Sequence, residues 1–344
     1  MSTTENPQNL AHNSAIVLTG PTRGLGLATA VHLARHPSVP TLLLLGRPGP
    51  ALDKAVDQLR SAGGSPVVPI YLEQSDLASI RQAGEDVVRT LRQESVPLRA
   101  VVANAGIQTT DLNHVTQDGF ELTFGVNVLG TYLLLLELGP HLAAGVRVVL
   151  VGSGTADDRR KDGLVPVPRW QDPEVLARPS HSQDADTLAA GRRAYSTSKL
   201  GTLYLAHGLA RRAAGSYTVD VFDPGMMPGT GLARDASLPQ RIGWNLMSPM
   251  ARWVSGMSTP QRSGLTLAAM ALGDHGPSGG RYVHIDHDVE PSPRAFDVDR
   301  EERLWSVAHR LVGRPAFGKP RDPADAVTDD DSGTRSTTPH ELTG

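Results

Sequence analysis

Short apolar runs, too brief for helices and continuous enough to be buried on both faces, recur along this chain, each followed by a helical pattern. They lie at 15–19, 41–45, 67–72, 98–103, 147–151, 218–222 and 281–285. Helical spacing occupies 25–35, 51–62, 76–92, 120–143, 194–213, 261–272 and 300–311. Strands alternating with helices of this length build parallel βαβ units with right-handed crossovers. The expected fold is α/β, a doubly wound and mostly parallel sheet in one domain over residues 14–312. Two stretches break the rhythm. Residues 154–192, with four prolines and many charges, read as an insertion, and 226–257 are irregular and rich in methionine.

Composition narrows the function. Of 344 residues 39% are hydrophobic, enough for a sizeable core. Lys+Arg 33 against Asp+Glu 36 leaves no basic excess, which argues against a nucleic-acid binder. The absence of cysteine excludes disulfides, thiolate metal sites and a cysteine nucleophile. Residues 1–13 and 313–344 offer little to bury and are expected to be disordered. The N-terminus lacks a basic segment followed by an apolar one, and no run approaches the ~20 apolar residues of a membrane span. No stable membrane insertion and a cytoplasmic location are therefore expected.

After the first strand comes Gly20-Pro21-Thr22-Arg23-Gly24-Leu25-Gly26, leading into a helix. Glycines there let the backbone turn sharply and let a pyrophosphate approach the amides of a helix N-terminus. A bare tight turn satisfies the same letters, but its place directly after an apolar strand favours a dinucleotide site. An NAD site usually has an acid after the second strand, to hold the ribose 2′-hydroxyl. Here Gly46-Arg47 follows, and Arg23 lies in the glycine turn. Two guanidiniums suit a 2′-phosphate, so NADP(H) is the expected cofactor; two merely solvated arginines are the alternative.

Tyr195 and Lys199 stand four residues apart in a helical pattern, on one face and one turn apart. The chain has only four lysines, so this pairing is uncommon by chance. A free phenol titrates near ~10, and an adjacent ammonium favours its ionised form, bringing it toward useful acid–base range. A surface tyrosine beside a solvated lysine is the bland reading. Ser153 follows the fifth strand, at the crevice where such sheets bind ligands, and its hydroxyl can hydrogen-bond a carbonyl oxygen that gains charge. Alone, a serine between glycines is more often a turn residue.

With these residues the chain resembles the short-chain dehydrogenase/reductase family, over residues 14–312. The segment 19–26 resembles its cofactor turn, Asn104-Ala105-Gly106 its element after strand four, and Tyr195 to Lys199 its YxxxK motif. The resemblance implies a Rossmann fold and a catalytic set of Asn127, Ser153, Tyr195 and Lys199. Tyr195 would exchange the substrate proton, Ser153 steady the oxygen, Lys199 hold the nicotinamide ribose, and Asn127 support a water relay. Asp76 and Leu77 match the pair bordering the adenine, and Pro224, Gly225 and Thr230 a further cofactor segment. An acid at a helix start, as at Asp76, is equally a common cap. The segments 118–134, 224–232 and 302–313 resemble the branch of retinol dehydrogenases and light-dependent protochlorophyllide reductases. The reductases carry a cysteine where this chain has Met226, which speaks against photochemical pigment reduction. The segment between Ser153 and Tyr195 is longer than in most members, and with Trp170 it is expected to cover the substrate mouth.

Met226, Met227, Met247, Met250 and Met257, with Trp244 and Trp253, suit a lid over an irregular hydrophobic small molecule. Ordinary core packing and shallow membrane contact remain open alternatives. His284 and His287 would face opposite sides of one strand, so no metal site is expected. The reading is an NADP(H)-dependent oxidoreductase acting on a carbonyl or alcohol, in the reductive direction. A dinucleotide-binding regulatory or scaffold protein and a reductase of a conjugated C=C bond are the alternatives. A homodimer through the two long helices and a monomer are the two assemblies left open.

Overall fold

A computed structural model describes residues 14–39, 41–159, 165–179, 185–227, 256–276 and 279–313. Of the ends expected to be disordered, 1–13 and 313–344, all but Gly313 lie outside the described residues, as do Thr230, Trp244, Met247, Met250 and Trp253.

The strands are β1 (Ala15–Thr19), β2 (Thr41–Gly46), β3 (Val67–Tyr71), β4 (Leu98–Ala103), β5 (Arg147–Val151), β6 (Thr218–Asp223), β7 (Tyr282–His284) and β8 (His287–Asp288). They form one sheet in the order β3-β2-β1-β4-β5-β6-β7-β8. Every pairing is parallel except β7 with β8. The order reverses between β1 and β4, and a crevice at the carboxyl ends of those strands is where such sheets bind ligands.

The helices are α1 (Gly24–Arg35), α2 (Pro50–Ser61), α3 (Leu77–Gln93), α4 (Thr131–Leu138), α5 (Leu188–Ala213), α6 (Pro260–Leu272) and α7 (Val298–Leu311). Strand alternation divides the core between the two faces. Ile16, Leu18, Leu42 and Leu44 meet α1, α2 and α6 through Leu33, Leu52 and Leu267. Val17, Leu43, Val101 and Leu150 meet the other helices through Ile80, Leu133, Leu203 and Leu304. Each such side chain, fully buried, contributes about 1.5–3 kcal/mol of hydrophobic transfer.

Several expectations need correction. The helical pattern at 120–143 is broken: an α-turn at Leu122–Phe124 opens into a π-helix at Gly125–Gly130 before α4. A Cβ at Gly130 would come 2.8 Å from the Gln74 carbonyl oxygen, so only glycine lets this wide turn lie against the chain there. The segment Leu122–His141 does have the length and hydropathy of a membrane span, contrary to the reading that no run approaches it. Its most apolar window is 89% buried in the protein, as a core helix is.

α5 starts at Leu188, inside the stretch read as insertion, because Thr187 caps it by accepting from the Ala190 amide. Tyr195 and Lys199 therefore sit well inside the helix. Trp170 packs on α5: its ring stands edge-on to Tyr204 at 4.7 Å, and a Cβ at Gly201 would come 3.3 Å from it. On the same flank, Trp305 of α7 packs edge-on against Tyr132 of α4 at 4.9 Å and against Gly208 of α5. His284 and His287 do not share one strand; they pair directly across the β7–β8 hairpin, with ring centroids 5.6 Å apart.

Candidate active site

The carboxyl ends of β1, β4, β5 and β6 converge with the middle of α5. After β1 the chain turns through Gly20 and Gly24, both at positive φ, +66° and +52°. A Cβ at Gly26 would drive into the Gly20 carbonyl oxygen, so the helix can lie this close to the turn only with glycine. Asn104 fixes the turn from β4: its side-chain amide donates to the carbonyls of Thr19 and Gly20 at 2.8 and 3.1 Å. The Thr19 hydroxyl in return accepts from the amides of Asn104 and Ala105.

α1 begins at Arg23 with no side-chain cap and no acid in its first turn. By contrast α3, α5, α6 and α7 are capped by Asp76, Thr187, Thr259 and Asp297. Thr22, Gly24, Leu25 and Gly26 therefore frame a tight, uncapped helix N-terminus, which fits the pyrophosphate of a dinucleotide. Arg23 and Arg47 are both exposed, at the ends of β1 and β2, and neither meets a carboxylate among the described residues. Asp76 is the α3 cap, with Oδ1 accepting from Ala78 and Ser79. Leu77 is buried in the core, and its amide donates to Asp118 at 2.9 Å.

The four residues of the expected catalytic set meet at the end of β5. Lys199 is buried, and its ammonium donates to the Val151 carbonyl at 2.8 Å while lying 5.7 Å from the centre of the Tyr195 ring. The Tyr195 phenol interacts with the Ser153 hydroxyl. Ser153 itself accepts from the Thr155 amide and hydroxyl. Asn127, on the π-helix, donates to the Ile107 carbonyl and the Ser198 hydroxyl and accepts from the Ile107 amide. Ser198 donates in turn to the Tyr195 carbonyl, tying Asn127 to the helix turn that carries the phenol. At Gly106 a Cβ would come 3.1 Å from the Asn127 carboxamide oxygen and 3.5 Å from the Lys199 nitrogen.

Burial pushes the Tyr195 phenol up to about 12; the Ser153 hydrogen bond works against this and the Asp223 charge adds to it. Burial also holds the Lys199 ammonium down at about 8, with Asp223 working the other way. The phenol is thus raised, where the spacing with Lys199 had suggested a lowering: burial dominates, and the ammonium is turned to Val151.

At the end of β6, Gly225 has φ +71°, and a Cβ there would strike Ile285. The Pro224 carbonyl accepts from the Ser263 hydroxyl. Met226 and Met257, which flank the methionine-rich segment, pair through a parallel bridge. Sequence reasoning missed the parts played by Ser198 and Asp223. Nothing in their spacing marks them; only strand pairing and helix packing bring them to the site.

A family model described as short chain dehydrogenase matches residues 14–164. Polyprenol dehydrogenase of Mus musculus is 30% identical over 309 residues, covering 86% of this chain and 83% of its own. Retinol dehydrogenase 14 of Mus musculus is 30% identical over 319 residues, covering 88% and 87%. Chloroplastic protochlorophyllide reductase B of Hordeum vulgare is 27% identical over 321 residues, covering 86% and 78%. In architecture the chain is similar to 3-oxoacyl-[acyl-carrier protein] reductase of Brucella melitensis, solved in complex with NAD. That likeness has a TM-score of 0.57 at 19% identity and covers 80% of this chain and 96% of that one. The chain belongs to the short-chain dehydrogenase/reductase family of oxidoreductases, in the branch of the retinol dehydrogenases and protochlorophyllide reductases.

Proposed function

We propose that the protein is an NADP(H)-dependent oxidoreductase that reduces the carbonyl of a bulky hydrophobic small molecule to the alcohol. The observation that carries this reading is the meeting of the Tyr195 phenol, the Ser153 hydroxyl and the buried Lys199 ammonium at the end of β5. A bound nicotinamide would supply the hydride. Gly24, Leu25 and Gly26 would hold the pyrophosphate, and Arg23 and Arg47, free of carboxylate partners among the described residues, would take the 2′-phosphate. Ser153 would donate to the substrate oxygen as it gains charge, and Tyr195 would deliver the proton to that oxygen.

Met226, leaving β6 beside the site and only partly buried, would supply adaptable apolar surface, whereas Met227 is packed in the core on the α1 and α6 side. Two of the relatives are dehydrogenases of polyprenol and of retinol, both bulky apolar alcohols, which supports the same substrate class.

The test is incubation of the full chain with NADPH or NADH and a panel of long-chain aldehydes, apolar ketones and enones, with product analysis. NADPH-dependent alcohol formation is expected. Tight NADPH binding with no consumption across the panel would favour a non-catalytic dinucleotide-binding protein. A saturated ketone formed from the enone would mark a C=C reductase instead.

A further inference from the structure

We propose that Asp223 is a positioning residue for the Tyr195–Lys199 pair, supplying from the end of β6 a buried negative charge on the sheet face that α5 covers. The inference deepens the reading above and rests on it for its functional consequence.

The sheet register makes the placement. Phe222 pairs with Val151, whose carbonyl receives the Lys199 ammonium. Asp223 is the next residue along β6. Side chains alternate across a strand. Phe222 belongs to the core on the α1 and α6 side, whereas Val219 and Val221 belong to the core on the α5 side. Asp223 shares the face of Val219 and Val221, which is the face α5 covers with Tyr195 and Lys199. Its charge reaches both groups.

The carboxylate is held in place on both oxygens. Asp223 is 3% exposed; Oδ1 accepts from the Gly225 amide at 3.0 Å, and Oδ2 meets Nδ1 of His284, its partner across the β6–β7 ladder, at 2.8 Å. An ionised carboxylate only accepts, so the imidazole proton sits on Nδ1 and donates. The other charged groups on this side follow from the β7–β8 hairpin. His284 faces His287, His287 meets Asp286, and Asp286 is paired with Arg262 of α6.

A buried carboxylate costs stability unless it is paired. Two donors and a nearby ammonium offset that cost here. In return, its charge opposes the burial that strips the proton from Lys199. Without it, Lys199 would lose its charge closer to neutral pH, and with it the ability to hold anything as an ammonium.

The scarcity of lysine allows a direct test. Only Lys54, Lys161, Lys199 and Lys319 give signals in protein labelled with ¹³C,¹⁵N-lysine, and Lys199→Arg assigns the one of interest. The pH titration of the Lys199 side chain is compared in the wild type, Asp223→Asn, Asp223→Ser and Asp223→Glu, all cofactor-free and full-length. The neutral variants are expected to move the Lys199 midpoint down by on the order of one pH unit, while Asp223→Glu keeps it near the wild type. Asp223→Ser retains an oxygen acceptor for the Gly225 amide and serves if the asparagine variant fails to fold. A Lys199 midpoint unchanged in a folded neutral variant overturns the inference. The readout does not involve turnover. A chain inactive on every carbonyl overturns the proposed function without touching this result, and an active chain with an unmoved midpoint overturns only the role of Asp223.

Discussion

The Lys199 ammonium, carried in the middle of α5, ends 2.8 Å from the carbonyl oxygen of Val151, the last residue of β5. This bond pins the helix bearing the phenol to the strand end that leads to Ser153. It explains how a flexible side chain is held in one place while buried. It also leaves the Tyr195 hydroxyl governed by Ser153 and by burial rather than by the lysine.

Ser153→Ala should lower turnover by about 10²–10³-fold, as expected for loss of one donor to a developing oxyanion. Because Ser153 opposes the upward push on the phenol, the Tyr195 titration should move further up in this variant. Ultraviolet pH titration of the two proteins checks this; an unmoved Tyr195 midpoint would mean that Ser153 does not contact it.

The double variant Arg23→Ala, Arg47→Ala should weaken NADPH binding by about 10–100-fold, the worth of one or two hydrogen bonds to a charged group. NADH binding should stay near the wild-type value. Fluorescence titration with both nucleotides decides: equal weakening of the two would remove the 2′-phosphate assignment.

Trp305→Ala should cost about 3–5 kcal/mol. Trp305 is 6% exposed, stands edge-on to Tyr132, and carries the Arg212 guanidinium 4.1 Å over its ring. Urea denaturation measures the loss. Light scattering should show concentration-dependent association, since the truncation uncovers apolar surface on α4 and α5. Wild-type stability would show that α7 is not a structural cover.

The paired arginines Arg212 and Arg211 hold the Glu302 carboxyl down at about 2. A carboxyl whose pKa is depressed on folding contributes stability above its unfolded value and loses it as pH falls through the folded one. This contribution should fade between about 4.5 and 2, and Glu302→Gln should flatten the stability–pH curve in that window. Glu302 is about half exposed, so the effect should shrink in high salt. A variant curve parallel to the wild type from pH 5 to pH 2, measured by chemical denaturation, would contradict the assignment.

The strands were legible because a sheet covered on both faces demands continuous apolar runs, such as the one ending at Leu45. The glycine turn and the Tyr195–Lys199 spacing were legible because local geometry dictates those residue types. The π-helix around Asn127 was not, since a leucine-rich stretch reads as one unbroken helix until Gln74 is seen pressed against Gly130. The start of α5 hid among prolines and charges, where Thr187 looked like any loop residue. Asp223 and His284 lie 61 residues apart, and only the β6–β7 register joins them.

The most direct test of the central claim is steady-state carbonyl reduction by Tyr195→Phe, alongside its affinity for NADPH. The predicted result is a loss of turnover of about 10²–10⁴-fold with nucleotide binding close to wild type. Reduction at the wild-type rate by a folded Tyr195→Phe protein would show that the proton comes from elsewhere.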